Sequence, residues 1–182
     1  DTLIQVERLQ FADMNLAFDV NGTAGQTYRL YQAAFNRTPD PSGLGGWITG
    51  MDHGMTLLGP NSAGFQVPRL QLNASRIGPL ARKGPIGLIS QSGALTASIL
   101  DWAQANSVGF SNVVSLGPGT SVDVAQVLDY MANDYNTHSI VVYLEGISNA
   151  RRFMSSLRAA AHIKPVVVLK AGRQHAGNLA AQ

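Results

Sequence analysis

Four short apolar runs, "GPIGLISQ", "FSNVVSLG", "SIVVYLEG" and "KPVVVLKAG", recur between residues 84 and 172, each separated from the next by a helix-length stretch. Runs such as "IVVYL" and "PVVVL" are apolar without alternation, which marks strands covered on both faces. The intervening "SGALTASILDWAQANS", "SVDVAQVLDYMAND" and "NARRFMSSLRAAAHI" read as helices. Strand, helix and strand in repetition imply right-handed crossovers in a parallel sheet. The expected fold is therefore α/β, a doubly wound, flavodoxin-like parallel sheet of about four strands. In such sheets ligands bind beyond the carboxyl ends of the strands. The loops after residues 89, 115, 144 and 169 are the places to look, and they read "SQSG", "SLGPGT", "EGIS" and "KAGRQHAG".

"SQSGAL" follows a strand and opens a helix, with Gly93 allowing a tight turn. The first amides of that helix then point outward, a ready anion site, while an ordinary serine N-cap explains the same residues. No lysine follows the glycine, so this is not a Walker loop. In "SLGPGTSVD", Ser121 is placed as the helix cap and Asp123 in the first turn. Glu145 ends an apolar strand at the active edge of the sheet, where it can orient an imidazole or stand as a solvated loop acid. His138 lies at the opposite edge, His162 near a helix end, and His53 in a loop with no metal partner at ligand spacing. No metal site is expected.

Residues 1–57 are written differently. "VERLQFADMNLAFDV" suggests a weak hairpin turning near Asp13 to Asn15. "GQTYRLYQAAFNR" places Tyr28, Tyr31, Ala34 and Phe35 on one helical face before the breaker "TPDPSG", and a short helix is expected over Gly43 to Met51. Charge divides at the same place. Residues 1–57 carry three basic and six acidic side chains, whereas 58–182 carry ten and five. Cysteine is absent, which excludes disulfides, thiolate metal sites and cysteine nucleophiles. No apolar run of 18 residues or charged leader occurs, so a soluble chain is expected. The expected organisation is a small hairpin-plus-helices module at 1–57, a linker at 58–83 carrying "GPNS", and a flavodoxin-like domain at 84–182.

The blocks "LGPNSAGF", "GPIGLISQSGALTASILDWAQANSVGFSNVVSLG", "VDVAQVLDYMANDYNTHSIVVYLEGI" and "KPVVVLKAGR" resemble the NDP-forming acyl-CoA synthetases, the group of ADP-forming acetate–CoA ligase and the succinyl-CoA ligase alpha chain. The likeness covers residues 58–182 in the family order. It implies reversible exchange of acyl-CoA, phosphate and ADP for free acid, CoA and ATP through a phosphohistidine. It also implies an ATP-grasp domain or subunit and a CoA-binding domain as partners, CoA, ADP/ATP and phosphate as ligands, and a cytoplasmic setting. Carried over by motif, Ser90, Gln91, Ser92 and Gly93 form the phosphate-binding loop, with Ser92 and Gly93 offering amides to the phosphohistidine. Glu145 orients the imidazole, and Asn61 and Ser62 line the edge where acyl phosphate meets the CoA thiol.

The same resemblance places the phosphorylated histidine in a "SHTGA"-like block about ten residues after "KAGR", beyond Gln182. His175, in "RQHAG", follows too soon and stands only as an alternative phosphate carrier. Only the last loop of the family's CoA-binding domain is present. A fragment inactive by itself is expected, with a non-catalytic phosphate- or CoA-binding module as the alternative. Residues 27–57 resemble a small helical domain of bacterial secreted repeat proteins, with Tyr31 and Trp47 as core aromatics and a secreted origin implied. That leaves a structural or interaction role for residues 1–57 as a further alternative. The junction at Leu57 and Leu58 suggests a chimeric or engineered frame. The edge strand "PVVVLK" is expected to expose apolar surface and favour self-association. Neither nucleic acid nor membrane is an expected partner.

Overall fold

The computed structural model describes residues 8–10, 15–17, 19, 22–35, 38, 40–54, 56, 58–59, 61–118 and 122–172. The chain divides into two compact units, Asp1–Leu57 and Leu58–Gln182.

In the first unit β1 (Arg8–Gln10) pairs antiparallel with β2 (Asn15–Ala17), as the hairpin reading expects. Helix α1 (Thr23–Phe35) follows, and the Asp19 carboxylate accepts the Ala24 amide at 3.0 Å, satisfying one of its free donors. Helix α2 (Pro41–Asp52) starts two residues earlier than expected, because proline suits a first helical position. The fully buried Thr27 hydroxyl lies 3.0 Å from Met51 Sδ and so ties the two helices. Trp47 corrects the expectation of a core aromatic, since it is 41% exposed. At the neighbouring Gly45 and Gly46 an added Cβ would meet no described atom within 4 Å. The Tyr31 side chain lies outside the described residues.

The second unit holds a six-stranded sheet rather than four strands. Its elements are β3 (Gly64–Val67), β4 (Leu72–Ser75), β5 (Lys83–Ser90), α3 (Gly93–Ala105), β6 (Phe110–Ser115), α4 (Val124–Asn133), β7 (Ser139–Leu144), α5 (Ala150–Ile163) and β8 (Val166–Lys170). The order across the sheet is β4-β3-β6-β5-β7-β8. The four expected strands are mutually parallel, with β5 between β6 and β7. The extra pair corrects the linker expected at 58–83: β3 and β4 form a hairpin that joins β6 antiparallel. A 3-10 turn at Pro68–Leu70 reverses the chain, and Gln71 takes a left-handed φ of 56° behind it.

Two apolar layers sandwich the sheet. On one face Ile89, Ile140, Val142 and Leu144 meet Leu128 and Met131 of α4 and Phe153 and Ala160 of α5. On the other, Leu88, Phe110 and Val113 pack under Leu100 and Ala103 of α3 alone. Burial on both faces therefore holds for β6 and the second half of β5, but β8 lies at the sheet edge with Val167 55% and Leu169 51% exposed. No described helix is long and apolar enough to cross a membrane.

At the amino ends of the parallel strands, Asp134 caps a polar network. Its carboxylate accepts hydrogen bonds from the Thr137 hydroxyl at 2.7 Å, Asn112 Nδ2 at 2.9 Å and both nitrogens of Asn136 at 3.1 Å. Partial burial by itself raises this carboxyl, but the donors of Thr137, Asn136 and Asn112 outweigh it and hold the pKa below the ordinary carboxylate range. A depressed folded-state pKa means that the ionised network stabilises the fold above the unfolded pKa. That stability is lost as pH falls through the folded value, so below about pH 4. Urea midpoints followed down through that range should fall, and the fall should be smaller in Asp134→Asn.

Candidate functional site

The switch point of the sheet lies where β5 passes to β6 on one side and β7 is laid down on the other. At the carboxyl ends of these strands a cavity of about 550 Å³ is lined by Asn61, Ala63, Arg76, Ile77, Gln91, Ser92, Gly93, Ala94 and Glu145. Two of the four strand-end loops expected to carry chemistry, "SQSG" and "EGIS", thus converge there with the "GPNS" loop and the end of the β3–β4 hairpin.

The turn after β5 is built by serines serving the backbone. Ser92 is the N-cap of α3, its hydroxyl accepting the Leu95 amide at 3.3 Å. Ser90 is fully buried and does not line the cavity. Its hydroxyl accepts from the Ser92 amide at 3.1 Å and donates to the Ser92 carbonyl at 2.9 Å. The donor and acceptor of Ser90, expected in the phosphate-binding loop, are thus both engaged within the turn. What remains for a ligand is the start of α3. The amides of Gly93 and Ala94 have no intrahelical acceptor, and both residues line the cavity. Gly93 packs closely, since an added Cβ would stand 3.2 Å from Ala63 Cβ, tighter than an ordinary contact.

Gln91 bridges the switch point. Its Oε1 accepts the Glu145 amide at 2.6 Å and the Gly146 amide at 3.0 Å, while its own amide donates to the Tyr143 carbonyl at 3.2 Å. The residue expected as a phosphate ligand therefore acts first as a clamp on the loop after β7, with only Nε2 of its side chain left to donate. Replacing Gln91 by alanine should leave two amides without an acceptor and cost about 1–3 kcal/mol. Hydrogen exchange should accelerate selectively at Glu145 and Gly146, whereas equal protection in the variant would contradict the clamp.

Glu145 is half-buried and lines the cavity, as expected. Its backbone is held twice, through Gln91 and through its carbonyl, which accepts Lys170 Nζ at 2.9 Å. The carboxylate has no hydrogen-bond partner among the described residues and stays available. Asn61 also lines the cavity, on a backbone with φ of 56°. Ser62 does not. Its hydroxyl donates to the Ser115 carbonyl at 2.5 Å and accepts the Gly64 amide at 2.9 Å, pinning the "GPNS" loop to β6. The hydroxyl of Ser62, expected at the acyl-phosphate edge, is thus engaged with the backbone.

On the next loop, Asp123 rather than Ser121 is the N-cap of α4. It forms a capping box in which Asp123 Oδ1 accepts the Gln126 amide at 2.8 Å and Gln126 Oε1 accepts the Asp123 amide at 2.9 Å. Ser121 and His175 lie outside the described residues. His138 and His162 are exposed and are not among the residues that line the cavity, and His53 is exposed in the first unit. Arg76 was missed by sequence reasoning, which treated its segment as linker.

Comparison with known proteins adds to this geometry. Residues 83–182 match the family model described as the succinyl-CoA ligase like flavodoxin domain. The chain is 43% identical over 131 residues to acetate–CoA ligase (ADP-forming) I of Archaeoglobus fulgidus, covering 71% of this chain and 19% of that protein. It is 40% identical over 134 residues to the alpha subunit of acetate–CoA ligase (ADP-forming) I of Pyrococcus furiosus, covering 73% and 29%. A solved structure, the dinucleotide forming acetyl-coenzyme A synthetase 1 of Ca. Korarchaeum cryptofilum in complex with phosphate and ADP, superposes with a TM-score of 0.68 at 35% identity, covering 72% and 29%. The chain thus spans less than a third of the length of each of these relatives. None of these matches supports the likeness of residues 27–57 to a module of secreted proteins, or a secreted origin.

Proposed function

This chain belongs to the family of succinyl-CoA ligase like flavodoxin domains, and we propose that its cavity is the phosphoryl-handling centre of an ADP-forming acyl-CoA ligase module. The observation that carries this reading is the convergence of the α3 amino terminus, Asn61 and the available Glu145 carboxylate on one cavity at the switch point. In the reaction inferred, a phosphate oxygen attacks the acyl carbon of the thioester and the CoA thiolate leaves. A histidine nitrogen then attacks phosphorus, the carboxylate leaves, and the phosphoryl group passes to ADP.

The chain's own residues serve these steps by electrostatics and orientation. The amides of Gly93 and Ala94 face developing phosphoryl charge without reorganising, which favours a transition state more than it favours the substrate. Glu145 accepts the N–H of the attacking imidazole and fixes its tautomer, so that the opposite nitrogen presents a lone pair. Asn61 supplies an amide at the rim, where acyl oxygen and thiol would meet. Partners follow from the same reading: an ATP-grasp domain or subunit and a CoA-binding domain, a division for which the name "subunit alpha" of the Pyrococcus relative is support. The edge strand β8, with Val167 and Leu169 half exposed, is the surface inferred for contact with such a domain or with a second copy.

Isothermal titration tests the reading. Saturable heat is expected with inorganic phosphate or with CoA, and no heat with either would overturn it.

A further inference from the structure

We propose that Arg76 is the cation that holds a phosphoryl oxyanion in this cavity. The inference rests on the phosphoryl reading above and adds to it a residue from outside the strand-to-helix loops.

The first support is how firmly the segment around Arg76 is built. Gln66 of β3 is 1% exposed, yet it is polar, so its groups must find partners inside the protein. All of them lie at the last residue of β4 or on the segment that follows it. Its Nε2 donates to Ser75 Oγ at 3.0 Å, the Ile77 carbonyl at 3.0 Å and the Pro79 carbonyl at 3.4 Å, and its Oε1 accepts the Ala81 amide at 2.8 Å. One buried side chain thereby gathers residues 75–81 into a fixed curve. Arg76 is pinned a second time, its amide donating to the Ala63 carbonyl at 2.9 Å. The backbone that carries the guanidinium is immobilised on both sides, while the side chain is exposed and lines the cavity.

Charge is the second support. Among the described lining residues Glu145 is the only acid and Arg76 the only base. A phosphate dianion beside a lone carboxylate would be repelled, and the helix amides alone offset only part of that. Arg76 reverses the balance of the cavity. Among the described residues its guanidinium has neither a hydrogen bond nor an ion pair, so its planar fork is free to take two phosphate oxygens side by side. The site then combines the neutral amides of Gly93 and Ala94 with a cation delivered from the end of the β3–β4 hairpin.

The test is a titration of the full chain with inorganic phosphate at low ionic strength, followed by 31P NMR linewidth, for the wild type, Arg76→Gln, Arg76→Lys and Arg82→Gln. Arg82 is exposed and absent from the cavity lining, so its variant controls for net charge. The expected result is about a tenfold or larger loss of affinity in Arg76→Gln, an intermediate loss in Arg76→Lys, which keeps charge but not the fork, and a change within about twofold in Arg82→Gln. Wild-type binding with an unaltered affinity in Arg76→Gln overturns the role of Arg76 and leaves the phosphoryl reading standing. No phosphate binding by the wild type overturns the phosphoryl site itself. A parallel titration with CoA separates the two sources of phosphoryl oxygens: loss in Arg76→Gln confined to CoA would assign the residue to the phosphates of CoA and overturn the proposal as stated.

Discussion

Leu128→Ala is expected to destabilise the second unit by about 2–5 kcal/mol, the range for a leucine truncated inside a close-packed core. Leu128 is fully buried on α4, in the cluster that includes Leu144 of β7 and Phe153 of α5. Its neighbours on the inner face of the helix, Val124, Val127, Met131 and Ala132, are buried as well, so little surrounding side chain is free to collapse into the space left. The measurement is a urea midpoint at unchanged slope, followed through amide exchange of β5 and β7 so that the first unit does not contribute. Tyr135→Ala is the control. Tyr135 is 91% exposed, and its truncation should stay within about 0.5 kcal/mol. Equal effects of the two variants would mean that the α4 layer does not hold this sheet together.

That layer was readable from sequence because it follows from repetition. Each apolar run was long enough for one strand, and each gap long enough for one helix, so the element bounds agree within about three residues. "SIVVYLEG" became Ser139–Leu144, and "NARRFMSSLRAAAHI" became Ala150–Ile163. The hairpin was not readable on the same grounds. Its strands are four residues each, proline separates them, and the residue that organises them is a glutamine. A faint alternation exists in Phe65, Val67, Leu70, Leu72 and Ala74, but Leu70 and Leu72 are exposed, so the pattern does not map onto a core face.

The site divides in the same way. Its location was legible because topology alone puts ligands at the carboxyl ends of parallel strands, and Ser92, Gly93 and Glu145 line the cavity found there, joined by Asn61, which only the family resemblance pointed to. Side-chain allegiance was not legible. A serine in a glycine-containing loop reads as a donor to a ligand, yet the hydroxyls of Ser62 and Ser90 are committed to backbone groups two residues away or on a neighbouring strand. Gln91 likewise spends its carbonyl oxygen across the switch point, on a loop more than fifty residues distant in sequence. Only tertiary pairing decides such choices.

Gly64→Val should detach the hairpin from the sheet and take Arg76 with it. Gly64 opens β3 at φ of 95°, a backbone state that β-branched residues avoid at a cost of about 1–3 kcal/mol. Space is the larger obstacle. An added Cβ would stand 2.2 Å from the Ala74 carbonyl oxygen and 2.7 Å from Ser75 Cα, both backbone atoms of the paired strand. Neither can rotate away, so β3 and β4 must separate where Gly64 faces Ser75, the residue before Arg76. The pairing of β3 with β6 starts at the same residue, Gly64 against Ser115, and the Ser62 hydroxyl bond to the Gly64 amide closes the loop that presents Asn61. One substitution therefore strains two walls of the cavity at once. The parallel strands pair independently of this hairpin, with β5 held by both β6 and β7. Amide protection should be lost over residues 64–75 and kept in β5, β7 and α4, while phosphate affinity falls at least as far as in Arg76→Gln. Retained hairpin protection with full phosphate affinity would show that the cavity does not depend on the position of β3. Loss of protection throughout the unit would mean instead that the hairpin is an integral part of the core, so that the sheet folds as six strands or not at all.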